Sequence, residues 1–242
     1  MNWIAVILLF SAAFVGGLIV LLFKMKPSGN LKILLSFSGS YLLAISILHL
    51  LPEVFSSPES SNIGLYVLAG FLVQILLEFV SDGVEHGHAH ITKEGRQNVF
   101  PYMIMISLCI HSILEGMPVG HDHDHHHANE PLLSGILLHK IPEGIALTST
   151  LIRNGVKRYR TFILLIVFAL MSPLGAGLSL ILEDQNMFIH IPGFFEKIMA
   201  FVVGIFLHIS TTILFESSEN HKFNIFKLLS VLLGFSLALF ML

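Results

Sequence analysis

The sequence predicts an all-α, polytopic membrane protein with eight transmembrane helices and both termini outside. Three observations carry this expectation. Of 242 residues, 54% are hydrophobic and only 12% are charged, about half the charge of an average soluble domain. Apolar stretches near the ~20 residues that cross a bilayer core recur along the whole chain. Lysines and arginines gather in alternate loops, the pattern that orients membrane helices.

The eight spans fall at roughly 3–23, 32–53, 63–81, 99–119, 132–152, 161–183, 194–215 and 223–242 of a single transmembrane domain, 1–242. The first has no basic residue ahead of it and is too long for a signal-peptide core, so it reads as a retained span. The last runs to the chain terminus. The first loop carries Lys24, Lys26 and Lys32, and the third carries Lys93 and Arg96. The fifth has Arg153, Lys157, Arg158 and Arg160, and the seventh has Lys222 with Lys227 just beyond. The second and fourth loops have none, and the sixth has only Lys197. Odd loops therefore face the cytoplasm. The net charge of −3 points to no nucleic-acid partner, and the single cysteine, Cys109, cannot form an internal disulfide and reads as a small core residue.

Taken in order, the second span ends on His49-Leu50-Leu51-Pro52-Glu53, and the third holds Glu78. The third loop contains His86, His88 and His90, and the fourth contains His121, His123, His125, His126 and His127. Such tracts bind zinc-like ions loosely. The outer tract reads as a capture antenna, the inner one as an acceptor or sensor, and neither as essential. The fourth span carries His111-Ser112-Ile113-Leu114-Glu115-Gly116-Met117-Pro118. The fifth repeats the pattern in Leu138-His139-Lys140-Ile141-Pro142-Glu143-Gly144. The sixth has Met171-Ser172-Pro173-Leu174-Gly175-Ala176, and the seventh has His208, Ser210, Thr211 and Thr212. Glu78 and His208 read as packed or pore-edge groups, and the three hydroxyls as partners of backbone carbonyls. Glu183, Asp184, Glu196 and Glu216 sit at span ends, where a solvated charge needs no special role.

The fourth and fifth spans hold the chemistry. A charged group at the bilayer centre costs at least ~2.5–3.5 kcal/mol even on the most lenient scale. Residues four apart share a helix face, so His111 with Glu115 and His139 with Glu143 each present an imidazole and a carboxylate together. Pro118 and Pro142 remove a backbone donor and free the carbonyls of Leu114 and Leu138. A lone membrane histidine is most often a packing residue. Two matching half-sites on neighbouring spans point instead to one shared site of four ligands, His111, Glu115, His139 and Glu143. Two imidazoles and two carboxylates suit Zn²⁺, Fe²⁺, Mn²⁺ or Cd²⁺. Histidine binds metal only when deprotonated, so affinity is expected to fall as pH drops toward the imidazole range.

The paired His-x-x-x-Glu-Gly motifs resemble those of the ZIP family of divalent metal-ion transporters, in which the fourth and fifth membrane helices carry them. His49 to Glu53 is similar to a His-Leu-Leu-Pro-Glu segment of that family, which assigns His49 and Glu53 to the access path. The resemblance implies eight spans with both ends out and import of metal, Zn²⁺ first, toward the cytoplasm across the plasma or inner membrane. It also implies alternating access, with spans 1, 4, 5 and 6 moving as a block against 2, 3, 7 and 8, and a homodimer. Histidine-rich loops recur in the family on the cytoplasmic side, whereas the heavier tract here is on the outer side.

Three positions depart from relatives that hold two metals. Ser112 stands where they carry Asn or Asp, Lys140 where Asp, Asn or Glu is usual, and Ser172 where Glu is frequent. All three changes remove ligands from the second metal position, and Lys140 adds an ammonium there. The expectation is a mainly single-metal site in which Lys140, paired with Glu143 or Glu115, replaces the second ion. A membrane-embedded zinc hydrolase is the alternative, but the His-Glu-x-x-His string of intramembrane metalloproteases is absent. An exporter of the cation-diffusion type would have about six spans and His-Asp pairs.

Overall fold

A computed structural model describes residues 3–23, 29–56, 62–81, 100–120, 126–184, 193–216 and 225–241. Nearly all of these are helical, and no strand occurs among them. The helices are α1 (Trp3–Phe23), α2 (Gly29–Ile45), α3 (Leu51–Ser56), α4 (Ile63–Ser81), α5 (Phe100–Gly120), α6 (His126–Arg153), α7 (Arg158–Asp184), α8 (Phe194–Glu216) and α9 (Ile225–Phe240). A π-helical turn, Ser46–Leu50, joins α2 to α3 in one rod. There the Leu51 N–H donates to the Ser46 carbonyl, one residue further back than in an α-helix. Pro52 has no N–H for the Leu48 carbonyl, so the proline and the widened turn share one interruption of the helical ladder.

The burial pattern is inverted relative to a water-soluble protein. Phe79, Phe215 and Phe240 are more than three-quarters exposed, while His111, Glu115, His139, Lys140 and Glu143 are at most 1% exposed. Apolar side chains outside and charge inside is the arrangement a hydrocarbon solvent selects. Among the described residues, six helical segments are long and apolar enough to cross a membrane, and α9, at Ile225–Phe240, is a shorter apolar helix. α6 has ample length at 28 residues, but its histidines, lysine and glutamates dilute its apolar run. It also starts earlier than position 132, running through Pro131 near its N-terminus.

Packing sorts the helices into two groups. α1 lies against α6 and α7, and α5 against α7; α4 lies against α8, and α2 against α9 and α8. Small residues set these pairings. A Cβ on Gly144 or Gly16 would strike the backbone carbonyl of Ala13 or Ile141 across the α1–α6 crossing. Gly116 and Gly175 meet the Ser172 and Ile113 carbonyls between α5 and α7 in the same way, and Gly70 and Gly204 join α4 to α8. Close backbone approach of this kind supplies the dispersion contact that holds helices together in lipid. The seam between the groups is different: the atoms nearest a Cβ on Gly135 of α6 belong to the side chains of Ile45 and Leu42 on α2.

Hydrogen bonds also cross that seam. Tyr41 of α2 shares one with Ser134 of α6 at 2.6 Å, and Ser107 of α5 donates to the Leu77 carbonyl of α4 at 2.7 Å. Ser134 Oγ also donates to the Pro131 carbonyl, so removing the phenol leaves no stranded hydroxyl. Tyr41→Phe is therefore expected to cost only about 0.6 kcal/mol, typical of side-chain bonds inside helical membrane proteins. The thermal midpoint in detergent should fall by about 2 °C, and a drop several times larger would contradict this account.

Candidate metal centre

α5 and α6 bring the two half-sites together near the midpoint of each helix. Candidate ligand atoms of His111, His139 and Glu143 all lie within 4.8 Å of one another, fully buried. The two imidazole rings are 6.3 Å apart, nearly perpendicular at 84°. Oε1 of Glu143 has no hydrogen-bond partner among the described residues and lies 3.9 Å from His111 Nε2. Two nitrogens and one carboxylate oxygen form a borderline donor set that suits zinc and its neighbours.

Glu115 is placed differently. Its Oε2 lies 3.0 Å from His111 Nε2, and its Oε1 is bonded to the Lys140 ammonium and accepts from Ser172 Oγ at 3.3 Å. Lys140 Nζ also donates to Glu143 Oε2 and to Ser112 Oγ, each at 2.6 Å, and stands 5.0 Å from the centre of the Phe168 ring. The ammonium thus lies among Ser112, Glu115, Glu143 and Ser172, so the three departing positions of the sequence, Ser112, Lys140 and Ser172, meet in one place. A buried ammonium shared by two carboxylates and a hydroxyl has the partners that make its burial tolerable. Glu143 divides its oxygens, with one on Lys140 and the other beside the histidines.

The glycine that ends each motif has a geometric reason. Gly116 lets α5 touch the α7 backbone at Ser172, one residue beyond Glu115; Gly144 does the same for α6 on α1, one residue beyond Glu143. The backbone that carries each glutamate is therefore positioned by close backbone contact with a neighbouring helix.

Other candidates lie apart from this group. His49 is in the π turn and Glu53 in α3, each half-buried, and neither belongs to the three-residue ligand group. The tracts at His86, His88, His90, His121, His123 and His125 fall outside the described residues. His126 and His127 open α6 by their backbone, and their side chains also fall outside. The structure adds one pair that the sequence did not join: His208 Nε2 of α8 and Glu78 Oε2 of α4 are hydrogen-bonded, with Phe71 edge-on to the imidazole at 4.9 Å. Nothing in their spacing signals this, because the pairing is made by two helices distant in sequence. Ser210 and Thr211 donate to the carbonyls of Phe206 and Leu207.

Fold and site define the class: an all-helical, multi-pass membrane protein with a candidate divalent-metal site at the centre of its bundle. Residues 81–242, about two thirds of the chain, match the ZIP zinc transporter family. The chain belongs to that family, as the two motifs led one to expect. It is 26% identical over 152 residues to zinc transporter ZIP1 of Danio rerio, covering 62% of this chain and 49% of that protein. It is 27% identical over 167 residues to protein zntD of Dictyostelium discoideum, covering 64% and 24%. With zinc transporter ZIP1 of Bos taurus it shares 24% identity over 250 residues, covering 86% and 76%. The chain thus spans about half the length of the first of these relatives and about a quarter of the second.

Proposed function

We propose that this chain imports a divalent metal ion, zinc first, toward the cytoplasm through a mainly single-metal site between α5 and α6. The observation that carries the proposal is the convergence of His111, His139 and Glu143 on one point, with Lys140 filling the place beside it. Glu115 serves the site both as a fourth donor beside His111 and as the anchor of the ammonium. His49 and Glu53 line the access path, and the histidine tracts collect and receive the ion without being essential. Fe²⁺, Mn²⁺ and Cd²⁺ fit the same donors.

The working topology is eight spans, counting α2 to α3 as one and including α6 and α9, with both termini outside in the plasma or inner membrane. Transport is by alternating access, in a homodimer. The group α1, α5, α6 and α7 carries the ligands, and the group α2, α4, α8 and α9 is the frame. Backbone-deep glycine contacts within each group and a side-chain seam at Gly135 favour movement of one against the other. The family match is to transporters, and the hydrolase reading gains nothing from it.

The test is uptake of radioactive zinc into proteoliposomes, alongside zinc stoichiometry of a variant whose His86, His88, His90, His121, His123, His125, His126 and His127 are all replaced. Saturable uptake with one tightly bound zinc per protomer is expected. Two tight zinc ions in the membrane site would overturn the single-metal reading, and binding without uptake would overturn transport.

A further inference from the structure

We infer that Lys140 is the built-in charge that lets the empty carrier return, so that net uptake of a divalent ion needs no counter-ion. The inference rests on the single-metal transport reading above and deepens it. Its basis is where the ammonium is held and what moves with it.

Lys140 and Glu143 are on α6 and Glu115 is on α5, all at most 1% exposed. Ser172, which donates to Glu115, is on α7. Gly116 at Ser172 and Gly175 at Ile113 fix α5 to α7 by backbone contact. Any rigid displacement of the ligand-bearing group therefore carries ammonium and carboxylates together. The ammonium also leaves the metal its oxygen: Lys140 takes Oε2 of Glu143, while Oε1 lies beside His111. The cation need not be expelled for the metal to bind.

Charge arithmetic then decides which limb of the cycle is hard. With both carboxylates ionised and the amine protonated, the empty site carries one negative charge, and a divalent ion turns this into one positive charge. Without the lysine the values would be two negative charges empty and none loaded. The cost of holding charge in a low-dielectric medium grows as its square. A carrier without Lys140 would move easily when loaded and return with difficulty when empty, stalling unless another cation rode back. With Lys140 the two limbs carry equal and opposite charge. The carrier can then work as a uniporter that moves two positive charges per ion.

The experiment compares two fluxes of radioactive zinc in proteoliposomes with the membrane potential clamped. Net uptake into zinc-free vesicles needs the empty limb, whereas exchange against saturating internal zinc needs only the loaded one. In the Lys140→Met variant the ratio of net uptake to exchange should fall about tenfold or more, and Lys140→Arg should restore it. The same ratio in Lys140→Met as in the wild-type protein would overturn the inference. If Lys140→Met fails to fold, the wild-type protein alone decides. Net uptake driven by a negative-inside potential, with no proton or counter-metal gradient, supports the inference; a requirement for such a gradient overturns it. Zinc binding with neither flux in the wild-type protein would instead bring down the transport reading itself.

Discussion

Replacing His139 and Glu143 together with alanine should abolish saturable zinc uptake, lowering it at least a hundredfold. The two residues supply two of the three ligand atoms that lie within 4.8 Å of one another. Disturbing even an outer partner of a metal ligand typically costs 10–100-fold, and here two ligands go at once. The loss of Glu143 also leaves Lys140 with Glu115 as its only carboxylate among the described residues, so a cation is partly uncovered beside the place where the incoming ion should sit. The fold should survive, because alanine is a good helix former and the crossing at Gly144 is untouched. Radioactive zinc flux into proteoliposomes, with size-exclusion behaviour as the folding control, reads the result. Saturable uptake persisting at wild-type rates in a well-folded double variant would mean that the ion crosses somewhere else.

The second large effect is mechanical. Gly144→Val should destabilise the protein by about 3 kcal/mol, because it overpacks a crossing that has no give. The added Cβ would strike the Ala13 carbonyl oxygen on α1, which is backbone and cannot turn aside as a side chain can. For a chain of this size such a loss lowers the thermal midpoint by about 6–12 °C. Uptake should fall as well, because Glu143 is the preceding residue and shifts with the helix. Gly177→Ala is the control: nothing lies within 4 Å of its Cβ, and alanine is favoured over glycine in a helix by up to about 1 kcal/mol. It should be neutral or slightly stabilising. Equal midpoints for Gly144→Val and the wild-type protein would show that the α1–α6 crossing is looser than its geometry implies.

Much of this protein was legible from the chain because its determinants are local. A helix satisfies its own backbone, so an apolar run near 20 residues is enough to announce it. Apolar runs at 3–23 and 63–81 predict helices there, and α1 and α4 occupy those residues. The i,i+4 spacing that puts His139 over Glu143 is likewise a property of one helix. Where a local rule was broken, the reading blurred. The turn at Ser46–Leu50 widens within a run that looks continuous, and α6 runs through Pro131, which marks a boundary in sequence.

The sequence by itself determined the elements, the membrane class, the pair of half-sites and the oddity of Lys140. Tertiary structure decided how these meet. It grouped His111 with His139 and Glu143 and turned Glu115 toward the ammonium. It set Lys140 between carboxylates on two helices and joined Glu78 to His208 across α4 and α8. It also chose α1 as the neighbour of α6. Such contacts depend on which glycine faces which carbonyl at a helix crossing. That is a relation between two surfaces, and no periodicity along a single chain encodes it.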